Sequence, residues 1–576
     1  MKKQLLFLVA VVGLLASLAY AGDSKKGKMS FQEPLKEDRT ASFENTTVRA
    51  QEVDWSELTT TVGTFTTLTG FYDYQSNGGA IQHIRVNPAN GNIHVTYMMS
   101  EDSTASGLNT GRRTSYAFSS NGGANWNNFN NARIPSRRSG FPTIDLLRGP
   151  NAGLPAIANH SVIGPDIAST VFIDSPEGAG AFSEINSPTL LGSDEPIWPY
   201  VAGPADGSVV MSASRSTAAT VHWTRTADFA AWSPMTQIIG PTQSGGRYST
   251  QANGTGRVGV LANTSNGTAA LGNWWMESTN NGETWSTPTN MYGQRFAGAD
   301  TFNSYVHSDF VYDGNNPLMV FSEYILNVGR EDDNISFWSQ ATGFKIAALH
   351  DPTKYTFDPV NQRFHGLSLG WPSIGLSGRT IVVAYQAFQP DTDSRGYHYS
   401  DLWYVASSNG GNTWGEPQRI TNTPNVDERY PSVSKWNAPG EFNIVWGQKS
   451  KSGLYAFPGA ADTVRSSQVF MRINPIVFGT TSVGGSETVN SFKLSQNYPN
   501  PFNPATKIDY TVGQAGPVSI KVYNMLGQEV ATVLNENLAA GSYQATFDGA
   551  NLPSGVYIYK MQAGSYQESK KMVLMK

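Results

Sequence analysis

Arg138, Glu195, Arg247, His307, Asp309 and Arg429 are residues of the types that bind anions or move protons, and each stands at or beside an opening of a repeated pattern. Arg247 and Arg429 hold equivalent places, each just before a tyrosine. Two guanidinium groups facing one funnel can clamp a carboxylate or sulfate, because the planar fork pairs with both oxygens. His307 and Asp309 can supply acid or base function beside them. The plainer alternative is that arginines at strand starts are solvated or locally paired. No metal or cofactor is implied. The run DTDSRG at 391–396 begins like a calcium loop with Asp391 and Asp393, but Arg395 stands where an oxygen ligand belongs and Leu402 where the closing glutamate should be. The chain has no cysteine, which excludes disulfides, thiolate zinc sites and cysteine nucleophiles. No His-Glu-x-x-His run, phosphate-binding glycine loop or Gly-x-Ser-x-Gly elbow occurs in a fitting context.

The elements that must position these residues recur about every 58 residues, a spacing that suits propeller blades with generous loops. The openings lie around Gln82 and at Phe141-Pro142, Trp198-Pro199, Tyr248-Ser249, Val306-His307, Trp371-Pro372 and Tyr430-Pro431. A glycine-led turn and an apolar second strand follow, seen at 91–98, 207–214, 256–263, 378–386 and 441–448. A third strand rich in aromatic and β-branched residues comes next, at 112–120, 168–175, 219–226, 271–278, 401–408 and 467–474. Each such sheet buries its faces only against its neighbours. The expected fold is therefore all-β: a β-propeller over 58–478 with seven blades, or six as the alternative, in which ligands gather at one mouth of the central channel. The run LTTTVGTFTTLT at 58–69 is the candidate strand to close the last blade, and residues 327–339 read as a long insert in the fifth.

Three octets end third strands: SSNGGANW (119–126), STNNGETW (278–285) and SSNGGNTW (407–414). They share Ser119, Asn121, Gly123 and Trp126; Ser278, Asn280, Gly282 and Trp285; Ser407, Asn409, Gly411 and Trp414. The asparagine can bond its own backbone to close a turn, the glycine can take positive φ, and the tryptophan can pack back between sheets. These octets resemble the Asp-box, or BNR repeat, of sialidase-like propellers, with Asn for the usual Asp. A worn copy surrounds Trp232. The resemblance implies a structural hairpin on the blade rim, remote from any active centre. Ala132-Arg133-Ile134-Pro135 contains the Arg-Ile-Pro triplet of sialidases, yet it follows the first octet where that family places it ahead.

Both ends carry address signals. Residues 1–21 combine Lys2 and Lys3, an apolar run at 5–18 and the small-residue site Ala19-Tyr20-Ala21, the pattern of a secretory signal peptide. The apolar run is shorter than the ~20 residues that span a bilayer, so no transmembrane segment is expected. Residues 22–57 read as a polar leader and 479–490 as a flexible linker. From 491 to 576 a small β-sandwich is expected, with Val518, Ile520 and Val522 facing inward. Its runs SQNYPNPFNPATKI, YNMLGQEVATV and LPSGVYIYKMQAG and its basic end at Lys570, Lys571 and Lys576 resemble the type A sorting domain of type IX secretion cargo. That resemblance implies export through the periplasm to the medium or the outer surface, with the type IX machinery as partner.

Forty basic residues against 45 acidic give a net charge of −5, which offers no pull toward nucleic acid. The reading that results is a non-catalytic exported propeller that binds an extracellular glycan or protein. The alternatives are an exo-acting sialidase-like glycoside hydrolase and a structural protein of a surface layer or matrix.

Overall fold

The computed structural model describes residues 63–576 apart from 77–78, 105–109, 165, 186–195, 216–219, 240–246, 265–271, 293–294, 298–299, 326–328, 357–366, 454–463, 475–491, 495, 498–499, 513, 515, 539–540 and 565. The signal sequence, the leader, the linker and Glu195 lie outside the described residues. The chain divides into two compact units, one through residue 481 and one from residue 482. Both are all-β. A 3-10 turn spans Gly149–Asn151, and no described helix is long and apolar enough to cross a membrane.

The first unit contains seven small sheets among the described residues, antiparallel except for one two-residue pairing. The strands at the repeat openings, here called first strands, are Ile84–Val86, Ser139–Leu146, Pro196–Ala202, Tyr248–Ala252, Asp300–Asp313, Leu369–Ser377 and Asp427–Val433, the fifth preceded by the short edge strand Arg295–Ala297. Each pairs with the strand that follows it within its own sheet, and hydrogen bonds run from sheet to sheet in chain order. Ile144 N donates to Gln82 O at 3.0 Å, Val201 N to Thr143 Oγ1 at 3.3 Å, Asn263 Nδ2 to Ser304 Oγ at 3.2 Å, Ile374 N to Asp309 Oδ2 at 3.1 Å and Val433 N to Ser373 Oγ at 2.9 Å. Ser212 and Thr250 join the third sheet to the fourth. His83 N then donates to Ser432 Oγ at 3.0 Å, so the seventh sheet bonds the first. Thr64–Gly70 pairs with Ser466–Ile473 and completes the seventh sheet with a strand from the start of the described chain. Two second strands not foreseen from the residue pattern are Pro155–Ile163 and Asn316–Ile325. Residues 329–339 are a correction: they are not an insert but the third strand of the fifth sheet, in register with Asn316–Ile325.

The three octets make the same hairpin. Ser119, Ser278 and Ser407 each donate Oγ–H to the asparagine Oδ1 two positions on and accept the glycine N–H four positions on at 2.9 Å. Asn121, Asn280 and Asn409 accept N–H from the residue four positions on, at 2.9–3.0 Å. Gly123, Gly282 and Gly411 lie at φ 87, 84 and 86°, and a Cβ on any of them would collide with Phe470, Val210 or Phe337 of the preceding sheet. Glycine is thus required twice over, by backbone conformation and by close approach. Trp126, Trp285 and Trp414 lay their rings 5.3, 5.5 and 5.1 Å from Phe470, Trp223 and Phe337. The hairpins are staples between sheets. A looser version holds Trp232, with Phe229 N on Thr226 Oγ1 at 3.1 Å and Ala230 N on Asp228 Oδ1 at 3.0 Å.

In the second unit, Lys493–Leu494, Ala505–Val512 and Gly541–Asp548 form one sheet, and Gly516–Tyr523, Glu529–Leu538, Gly555–Ala563 and Tyr566–Leu574 another. Both sheets contribute to one core. Val518, Ile520 and Val522 alternate into it at 1%, 0% and 0% exposure, with Ile508, Phe547, Tyr559 and Met572.

Candidate functional site

Four first strands open with an aromatic residue followed by proline, and in all four the aromatic adopts positive φ: Phe141 at 51°, Trp198 at 53°, Trp371 at 47° and Tyr430 at 62°. The register of the sheet slips at each. A bulky residue in that conformation costs roughly 1–2 kcal/mol, so the surroundings must hold it there. Each freed amide finds an acceptor on the preceding sheet: Met98 Sδ for Phe141 at 3.2 Å, His160 Nδ1 for Trp198 at 3.4 Å, His307 Nδ1 for Trp371 at 3.3 Å and Gln386 Oε1 for Tyr430 at 3.2 Å. The four rings converge on one cluster with Tyr72 and Tyr74. Tyr74 lies 6.1 Å from Phe141 and 6.5 Å from Tyr430, Trp371 lies 4.9 Å from Tyr430, and His307 stacks on Trp371 at 4.1 Å.

Cations surround this aromatic cluster. The Arg112 guanidinium sits 5.2 Å from the Phe141 ring centre and 5.6 Å from that of Tyr72, within cation–π range. Arg138 acts on the Tyr72 hydroxyl, and Arg247 on the Tyr74 hydroxyl and the His307 imidazole, through their fields. Arg429 Nε bonds Asp427 Oδ2 at 2.7 Å, and Lys449 pairs with Asp73. Burial, with Arg112 and Arg138 adding to it, holds the His160 imidazole neutral, well below its ordinary range; burial and then Arg247 do the same for His307. Tyr72, Tyr74 and Tyr430 are pushed far up by burial, so none is a ready nucleophile.

Of the six residues singled out in the sequence, Arg138, Arg247, His307 and Arg429 therefore come to this aromatic end. Three of the four do not face an open funnel: Arg247 is 7% exposed, Arg429 3% and His307 1%, with residues 71–76 passing among them, tied by Gln75 to Met98 O and N at 2.8 and 2.9 Å, while Arg138 is half-buried. Asp309 lies further along its strand. Its Oδ2 accepts Ile374 N–H and pairs with Lys435, whose amine burial pushes down to about 8 against the pull of Asp309. Here the first strands meet in a polar plug. Arg85 Nε donates to Asp145 Oδ1 at 2.7 Å and Nη2 to Gln251 Oε1 at 2.8 Å, Gln251 Nε2 to Gln82 Oε1 at 3.0 Å, and Gln82 Nε2 to Val201 O at 3.0 Å. Burial raises the Asp145 carboxyl, but Arg85 and Arg148 outweigh it and leave it below the usual range. Arg112, His160, Asp73 and Lys449 carried no sign in the sequence; only the alternation of buried polar residues within second strands would have hinted at His160.

Two other constellations complete the inventory. Tyr312 Oη donates to Glu277 Oε1 at 2.8 Å, and Glu277 pairs with Arg257. Arg133 of the Arg-Ile-Pro triplet pairs with Glu101. Between the fifth and sixth sheets, a groove of about 440 Å³ is lined by Lys345, Ile346, Leu349, His350, Lys354, Trp414 and Glu416. Ile346 and Leu349 are 39% and 59% exposed there. At the aromatic end the cavity against Trp198, Phe141 and His83 is only about 20 Å³, room for a single water.

Residues 496–575 match the family model of the secretion system C-terminal sorting domain. The chain thus carries a sorting tail of the kind recognised by the type IX machinery, which places it outside the cell or on its outer surface. No curated protein matches the chain. Among solved structures it is similar to a protein of unknown function from Dyadobacter fermentans, at 10% identity and a TM-score of 0.35 over 71% of this chain and 100% of that one. It is also similar to an endo-arabinase from Bacteroides thetaiotaomicron (12% identity, TM-score 0.29, 48% of this chain and 93% of that one) and to the polysaccharide lyase Uly1 (9%, 0.32, 57% and 77%). Likeness at this level carries no argument about activity.

Proposed function

We propose that this protein is an exported seven-bladed β-propeller of the Asp-box type, followed by a sandwich-like sorting tail, and that it binds an extracellular glycan or protein without catalysis. One contrast carries the reading. Arg85, Asp145, Asp309, Asp427 and Arg429 on the first strands are buried and held in ion pairs, whereas the rim groove beside Trp414 is open and of the size that holds small ligands. Trp414 and Leu349 offer apolar surface there, and Lys345, Lys354 and Glu416 offer hydrogen-bonding groups around it, the mixture that recognises a sugar face or a short peptide.

The sialidase-like alternative rests on the Tyr312–Glu277 couple, the pairing that would activate a tyrosine nucleophile. It stands five residues along the strand from His307, about 16 Å at strand rise, so the couple and the arginines do not share a reacting point. Burial also raises the Tyr312 hydroxyl far above its usual range, and Glu277 adds to that.

A glycan and peptide array probed with the secreted form tests the proposal. Hits that vanish with Trp414→Ala and Lys354→Ala support it. Hits that survive both and vanish with Arg247→Ala and Arg429→Ala move the site to the aromatic end and overturn the groove assignment. Turnover of any bound glycan overturns the non-catalytic reading, and regular self-association with no hits favours a matrix role.

A further inference from the structure

The turn between strands Gly516–Tyr523 and Glu529–Leu538 is built on Asn524. Its Oδ1 accepts the N–H groups of Leu526 and Gln528 at 3.0 Å each, its Nδ2 donates to Gln528 Oε1 at 3.0 Å, and its backbone N–H donates to Gln528 O at 3.0 Å. Gly527 at φ 81° closes the loop, and nothing within 4 Å requires it to be small. This well-bonded turn holds Met525 and Leu526 out in water at 66% and 84% exposure. The turn at 549–554 of the same module does the opposite and packs Leu552 on the core. Behind the tip, Lys521 and Glu529 neutralise each other at 2.8 Å, so the tip offers apolar surface without net charge beside it. A stiff turn that presents two large apolar side chains loses little freedom when it docks, which favours binding.

The tip falls within the segment that matches a sorting domain, a module whose task is to be bound. We propose that Met525 and Leu526 are the contact by which the tail docks into an apolar socket on the type IX export machinery. This rests on the reading of the tail as a sorting domain. The test uses the full chain in a host that carries the machinery, with the extracellular and surface-bound fraction measured by immunoblot against the periplasmic fraction. Met525→Ser with Leu526→Ser lowers the exported fraction roughly tenfold or more, the affinity one buried leucine-sized contact supplies. Leu526→Lys, which leaves the turn's backbone bonds in place, lowers it as well, and the apolar exchange Met525→Leu with Leu526→Met restores it. Export of the serine or lysine variant at the wild-type level, while deletion of 496–575 abolishes export, overturns this inference alone. Export of the deletion itself at the wild-type level overturns the sorting reading with it.

Discussion

Two kinds of asparagine-led turn occur in this chain, and the difference between them separates scaffold from address. In the octets, Asn121, Asn280 and Asn409 fold the backbone as Asn524 does in the tail, accepting an N–H from four residues on. The residues enclosed differ. The octets place a glycine where the backbone presses on the neighbouring sheet and a tryptophan that packs there; the tail turn places Met525 and Leu526 in solvent. One geometry serves burial in the first unit and display in the second.

The harshest test of that difference is the pair Gly411→Ala and Gly527→Ala. Positive φ penalises both by about 1 kcal/mol, but only at Gly411 does the new methyl strike Phe337, for a total of about 3 kcal/mol. All 14 tryptophans precede residue 482, so their fluorescence during urea unfolding reports the first unit alone. A Gly411 variant with an unchanged midpoint would dismiss the staple. Next, Trp414→Ala is expected to cost about 2 kcal/mol, since the ring is partly buried on the fifth and sixth sheets, against at most about 0.5 kcal/mol for Leu526→Ala. Equal losses at the two sites, the tail's read by amide hydrogen exchange of its own strands, would erase the distinction between packed and displayed turns.

The smallest expected effect is on pH dependence. Glu428 and Asp401 are buried within hydrogen-bonding reach of each other, with Arg419 on Asp401. Burial raises Asp401 from 3.8 to about 6 and Glu428 well above its ordinary value. Both bind protons more tightly folded than unfolded. Their contribution is therefore complete below the usual carboxylate range and is lost as pH rises, through about 6 for Asp401 and through its own raised range for Glu428. Asp401→Asn should flatten the fall in first-unit stability between pH 4 and 6 by on the order of 1 kcal/mol, measured by urea titration at each pH. In the tail the sign reverses: Tyr566 and Lys570 hold Glu568 at about 2, so its contribution is lost only as pH falls toward that value.

Much of the fold was legible because its signals are local. Ser407, Asn409 and Gly411 need only four residues to make their hydrogen bonds, and Val518, Ile520 and Val522 need only a strand's alternation. The strand Pro155–Ile163 was not legible, since Asn159 and His160 break its apolar run. They are tolerated because Ile134 O and the Trp198 amide, on other elements, satisfy them. The candidate site was legible only in part. Arg247 and Arg429 could be named from their shared place before a tyrosine, but nothing near them in the chain announces Tyr72, Asp73 or Tyr74.

By itself the amino-acid order determined most of the strands, the hairpin turns and the sorting tail, through patterns a few residues long. Only the tertiary structure decided which charges are spent and which surfaces are left open. Lys449 meets Asp73 across 376 residues and Lys435 meets Asp309 across 126, and such pairs form only once the sheets close on one another. Burial then raises the strength of the pairings they make, so Arg429, read as half of a clamp in the sequence, is held by Asp427, and Asp309, read as an acid or base, is held by Lys435.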